Sequence, residues 1–165
     1  MGLSLGDIVD DKLDLYPALN AETRRIGVPW LHVPGNHDLD FDAPDDSSSL
    51  ESFRQQFGPD TFAWEESMAN FIILDDVVYL PGNRPDYIGG LRESQFAFLE
   101  AYLSNLDKTK LLVIAAHIPF FQTKSDRETF RSADRKRLFA LLAPFKDVLL
   151  LTAHSHTQTQ VSHGP

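Results

Sequence analysis

Four short polar clusters each follow an apolar run, and that placement constrains the fold more than any other feature of the chain. Gly6-Asp7-Ile8-Val9-Asp10 follows Leu3 to Leu5, and Gly35-Asn36-His37-Asp38 follows Trp30 to Val33. His117 follows Leu111 to Ala116, and His154-Ser155-His156 follows Val148 to Thr152. In an open α/β sheet the carboxyl ends of the strands share one edge, so groups far apart in sequence converge there. Four of the six histidines lie in these clusters, so that edge is expected to carry a site built from nitrogen and oxygen donors.

The remaining pattern agrees. Runs rich in Val, Ile and Leu alternate with segments of helical period, as in an α/β domain whose strands are buried on both faces. Asn70 to Leu74 and Val77 to Leu80 are further strand candidates. Leu15, Ala18 and Leu19 share one helical face. Leu99, Tyr102, Leu103 and Leu106 share another, after a cap at Ser94, and Leu138, Leu141, Leu142 and Phe145 a third, after Ser132. Asp40 to Ser49, rich in Asp and Ser, reads as an exposed loop.

At 165 residues with 42% hydrophobic content the chain suits one core, hence a single domain over residues 1–165. The formal charge of -9 disfavours non-specific attraction to nucleic acid or an anionic membrane. A phosphorylated substrate would need a local positive centre, which bound divalent cations supply. The absence of cysteine excludes disulfides, thiolate metal sites and thiol nucleophiles. No run approaches the length of a membrane helix, and no signal peptide opens the chain. Both ends read as cut.

Imidazole, carboxylate and amide oxygen together form a donor set for divalent Mn, Fe or Zn. His154 and His156 are two apart, so on an extended segment both rings point to one side. Gly35 allows a tight, strained turn that exposes the side chains after it. Asp38 is placed to orient His37 through a ring nitrogen.

In this order, Gly-Asp-x-x-Asp, Gly-Asn-His-Asp, a strand-terminal His and His-x-His resemble the signature of the calcineurin-like metallophosphoesterases, in a bacterial-type member, over Gly6 to His156. The resemblance implies a layered α-β-β-α sandwich with a mixed central sheet, here missing at least one N-terminal strand and cut at the C-terminus. It implies hydrolysis of a phosphate monoester or diester by attack of a metal-bridging hydroxide. Asp7 would bridge two divalent ions; Asn36, His117 and His154 would complete one site and His156 would bind at the other. His37 would be the proton donor, with Asp38 beside it, and Asn36 and His37 would touch substrate. The substrate would be a phosphorylated small molecule, lipid or nucleotide. The family's opening Asp-x-His does not occur in this chain, which strips the first site to Asp7 and His156 and implies a single ion with weak or absent turnover. Ala153 stands where the family has Gly. The competing reading is a non-catalytic domain that binds one metal or phosphate, or that needs a complementing strand from another chain. Relatives of this type are often exported; nothing in the chain selects a compartment or an oligomeric state.

Other residues carry less. His32 alternates with Leu31 and Val33 and reads as a hydrogen-bonded sheet residue, and His163 as solvated. The basic run from Lys124 to Arg137 reads as a solvated helix face, with phosphate binding at the rim as its alternative. Asn83, Arg84 and Tyr87 lie in a loop bearing Pro and Gly, and nothing in their spacing compels a contact with substrate. Asp10 reads either as a hydrogen-bond acceptor near the metals or as a helix-start residue. Tyr16, Trp30 and Trp64 read as packing residues.

Overall fold

All six apolar runs form strands in the computed structural model, which describes residues 1–121, 127 and 133–162. Along the chain lie β1 (Gly2–Leu5), α1 (Tyr16–Arg25), β2 (Trp30–Val33), α2 (Glu51–Phe57), β3 (Phe62–Glu65), β4 (Ala69–Ile73), β5 (Val77–Tyr79), β6 (Tyr87–Gly89), α3 (Glu93–Asn105), β7 (Leu111–Ala115), α4 (Arg135–Leu142) and β8 (Val148–Leu151). β1 and β2 pair in parallel with Leu5 opposite Val33. The central sheet has the order β3-β4-β7-β8 and is mixed, since β3 runs antiparallel to β4 while the other pairs are parallel. β5 and β6 form an antiparallel hairpin.

The two-residue alternation of strands sorts the apolar side chains into layers. Ile72, Leu112 and Ile114 of the central sheet pack with Phe96, Leu99 and Leu103 of α3 and Leu138 and Leu142 of α4. Ile73 and Ala115 point the other way and meet Val33, Leu3 and Leu5 of the β1–β2 sheet. A third cluster joins Tyr16, Leu39, Leu50 and Phe53 to Val77, Tyr79 and Ile118. Sheet therefore packs on sheet, with helices outside, as the α/β reading expects.

Several local expectations are corrected. α3 is flanked by Arg92 rather than capped at Ser94, and the Gln95 side chain accepts from the Arg92 amide at 2.9 Å. Leu15 precedes α1 and is exposed. Asp40 to Ser49 is largely exposed, as expected, but it is pinned: Ser49 is buried, and Arg92 donates from Nε and Nη2 to Asp46 at 2.6 Å each. Arg92 also donates from Nη1 to Asp75 at 2.7 Å. α2, β3 and β6 had no counterpart in the sequence reading. His32 accepts or donates through Nδ1 to Ser4 Oγ at 2.7 Å within the β1–β2 pair. Lys124, Ser132 and His163 lie outside the described residues; Arg137, at the end of that basic run, pairs with Glu93 and Glu100 on the surface.

Candidate active site

The carboxyl ends of β1, β2 and β7 and the segment after β8 bring four polar side chains together. β1 is followed by Gly6 and Asp7, both left-handed, with φ of 90° and 51°. This sharp turn folds the Asp7 carboxylate back over the end of β2, where Oδ1 accepts from the His37 amide at 3.1 Å. Glycine suits Gly6 twice over, because an added Cβ would lie 2.2 Å from His117 Nδ1. Gly35 is needed for a different reason from the one the sequence suggests. Its φ of -116° and ψ of -179° are ordinary extended backbone, but a Cβ there would stand 2.2 Å from the Asp7 amide nitrogen.

His117 is the centre of the group and is buried. Its Nε2 lies 3.1 Å from Asn36 Oδ1, 3.1 Å from His154 Nδ1 and 3.4 Å from Asp7 Oδ2. Its Nδ1 lies 2.7 Å from the Leu5 carbonyl oxygen. A carbonyl only accepts, so Nδ1 carries a proton, and Nε2 is the nitrogen turned toward the other three groups, with a lone pair to offer a cation once its own proton is lost. A single N–H could not serve three partners in any case. Atoms bound to one cation through bonds of about 2.1 Å lie roughly 3.0–3.5 Å apart, the spacing found here. Asp7, Asn36, His117 and His154 thus fit a divalent cation by donor type and by separation.

Below the group, Asp76 Oδ1 accepts from the amides of both His117 and Ile118 at 2.9 Å. This buried carboxylate fixes the end of β7 and with it the His117 ring. Burial pushes its carboxyl up to about 7, against the two amide bonds and the His117 charge. Burial also acts to raise Asp7, but the hydrogen bond and charge of His117 and the nearby His37 outweigh it, leaving Asp7 below the ordinary carboxylate value.

His37 sits at the mouth of the group, partly exposed. Asp38 does not orient it. The Asp38 carboxylate is buried and accepts from the amides of Gly35 at 2.8 Å and Ile8 at 3.1 Å and from the Tyr16 hydroxyl at 2.9 Å, so it ties the ends of β1 and β2 together. The carboxylate on the His37 ring is Asp11, with Oδ1 2.7 Å from Nδ1, while Asp10 lies at 3.5 Å with its side chain in solvent. Burial acts to lower His37, yet the Asp11 bond and the charges of Asp7, Asp11 and Asp10 leave it raised. Asp11 follows the Gly-Asp-x-x-Asp motif by one residue and so lies outside every motif that the sequence marks, where Asp38 is the residue expected on this ring.

The expected extended His154-Ser155-His156 segment is absent. Both histidines are left-handed, with φ of 59° and 48°, so the alternation of an extended segment does not apply to them. His154 joins the group, whereas His156 is exposed and belongs neither to the Asp7, His117 and His154 group nor to that of Asp10, Asp11 and His37, the two gatherings of metal-ligating side chains among the described residues. Ala153 needs no positive φ, which explains why alanine is tolerated there. Tyr87, opposite Tyr79 in the β5–β6 hairpin, lies edge-on to His154 with ring centroids 6.1 Å apart.

The calcineurin-like phosphoesterase family model matches residues 3–158, which covers β1 through the His154-Ser155-His156 segment. The chain belongs to the calcineurin-like phosphoesterase family. No curated protein matches it. Calcineurin-like phosphoesterases are metal-dependent phosphoric ester hydrolases that use divalent cations, in keeping with the nitrogen and oxygen donors gathered around His117. No helix among the described residues is long and apolar enough to cross a membrane.

Proposed function

We propose that this chain hydrolyses a phosphate monoester or diester at the group formed by Asp7, Asn36, His117 and His154, with His37 as proton donor. The observation that carries the reading is the convergence of Asn36 Oδ1, His154 Nδ1 and Asp7 Oδ2 on His117 Nε2 at 3.1 to 3.4 Å. A divalent cation held there would neutralise phosphoryl charge and make water a better nucleophile. Asn36 and His37 would face the phosphoryl group. As the water oxygen bonds to phosphorus and the bond to the leaving oxygen breaks, His37 gives its proton to that oxygen and regains one from solvent. Asp11 holds the His37 ring in position and favours its protonated form. Asp38 acts at a distance, by fixing the Gly35 and Ile8 backbone on which Asn36 and Asp7 sit.

We also propose that one cation, rather than two, is held by this chain. The exposed position of His156, outside the group around His117, supports this reading. The test is hydrolysis of phenyl phosphate and bis-phenyl phosphate with added Mn by wild type and His37→Ala. Turnover that falls about 100-fold or more in the variant is the expected result; turnover indifferent to His37 would overturn the assignment, and none in wild type would favour a non-catalytic binding domain.

A further inference from the structure

Beside His37 opens a cleft of about 420 Å³, lined by Asp11, Phe41, Tyr79 and the β5–β6 turn from Gly82 to Asp86. Its volume is within the range of small-molecule sites. Two connections tie it to the candidate active site. Asp11, one of its walls, is the residue bonded to the His37 ring. The β5–β6 hairpin supplies another wall through Tyr79 and also carries Tyr87, which lies against His154.

The cleft presents an aromatic face held ready. Phe41 is 40% exposed although it is large and apolar. Its ring stands edge-on to Tyr79 with centroids 6.2 Å apart, and its carbonyl accepts from the Tyr79 hydroxyl at 2.6 Å. A ring fixed in this way loses little freedom when another ring packs on it. The polar lining is Asn83 with Asp11, Asp86 and Arg84, and Arg84 already lies 3.4 Å from Asp86. The charged groups sum to a negative lining, which repels a further anionic group. By contrast, the larger cavity of about 530 Å³ around Arg92 is built on a guanidinium already committed to Asp46, Asp75 and Val77.

We propose that this cleft receives the leaving group of the ester, and that it takes an aromatic or heteroaromatic ring carrying no further negative charge. The inference rests on the hydrolase reading above and names the substrate class of that site. Phe41 is then a specificity-determining residue outside the chemistry, and Asn83 offers a hydrogen bond to the ring edge.

Two measurements on wild type and Phe41→Ala test it. The first compares kcat/KM for phenyl phosphate and glycerol 2-phosphate with added Mn. Each variant is referred to wild type on the same ester, so intrinsic reactivity cancels. A loss of about tenfold on the phenyl ester, with the glycerol ester nearly unchanged, is expected from one lost stacking contact. The second follows backbone amide shifts of the metal-free protein titrated with 4-hydroxybenzamide, a neutral ring, and 4-hydroxybenzoate, an anionic one. The neutral ring should perturb Phe41, Gly82 and Asn83, more weakly in the variant, and the anionic ring should perturb them less. Turnover with equal losses on both esters, or no shifts at those amides, would overturn the cleft assignment while leaving the hydrolase reading. Shifts without turnover of either ester would overturn the hydrolase reading and, with it, the leaving-group role.

Discussion

The Nδ1 of His117 donates to the carbonyl oxygen of Leu5 at 2.7 Å, and this bond fixes which nitrogen faces the site. It joins the end of β7 to the end of β1, two elements more than a hundred residues apart, and presents Nε2 to Asp7, Asn36 and His154. Burial acts to lower His117, but Asp7 beside it outweighs that and holds the ring raised, as part of an ion pair. Cation binding should therefore release a proton.

Asp11 sets the protonation of His37. A proton donor works while protonated, so activity fails as pH rises through its pKa. Asp11→Asn removes the bond that raises His37 and should move the basic limb of the kcat/KM profile to lower pH. Asp10→Asn, whose side chain lies in solvent at 3.5 Å, should move it less. Identical profiles for all three proteins would contradict the pairing.

Gly35 is a contact glycine. Gly35→Ala sets a methyl group against the Asp7 amide and carboxylate and should cost about 1–3 kcal/mol in stability, measured by urea unfolding. Cation affinity, read by calorimetry, should fall with it, because Asp7 is the group displaced.

Arg92 locks the acidic loop to the core. Its guanidinium serves Asp46, Asp75 and the Val77 carbonyl, and Asp75 is buried. Arg92→Met leaves two carboxylates without their cation and should destabilise the protein by about 3 kcal/mol. The urea midpoint should drop with little change in slope.

Asp76 gives a pH signature in the metal-free protein. Burial raises its carboxyl to about 7 from an unfolded value of 3.8, so between those values the folded chain holds a proton that the unfolded chain has lost. Stability contributed by this group therefore declines as pH rises through that window, by at most about 1.4 kcal/mol per pH unit. Asp76→Asn lacks the effect. The melting temperature of the variant should gain on wild type from pH 4 to pH 7 and then level off.

Much of the fold and the central group of the site was legible in the sequence because strand ends were marked by apolar runs stopping at polar clusters. Asp7, Asn36, His117 and His154 were found by that rule and do meet. What stayed hidden depends on backbone direction and long-range contact. Asp10 and Asp11 are adjacent, and it is Asp11, with a φ of 60°, whose carboxylate meets the His37 ring. The left-handed turns at His154 and His156 break the alternation assumed for an extended segment. β3 and β6 pair with β4 and β5, a pairing that comes from tertiary packing rather than from a local pattern. The Asp-rich loop is largely exposed, as its composition indicates, but its anchoring was not legible because the partner of Asp46, Arg92, lies 46 residues away.

The most direct test is calorimetric titration of Mn into metal-free wild type, His117→Ala and His156→Ala, with elemental analysis of each. The account expects one cation per chain in wild type, loss of about 100-fold or more in affinity for His117→Ala, and binding close to wild type for His156→Ala. No cation in wild type, or binding that survives His117→Ala, would contradict it; two cations with one lost in His156→Ala would replace the single-cation site with the paired one.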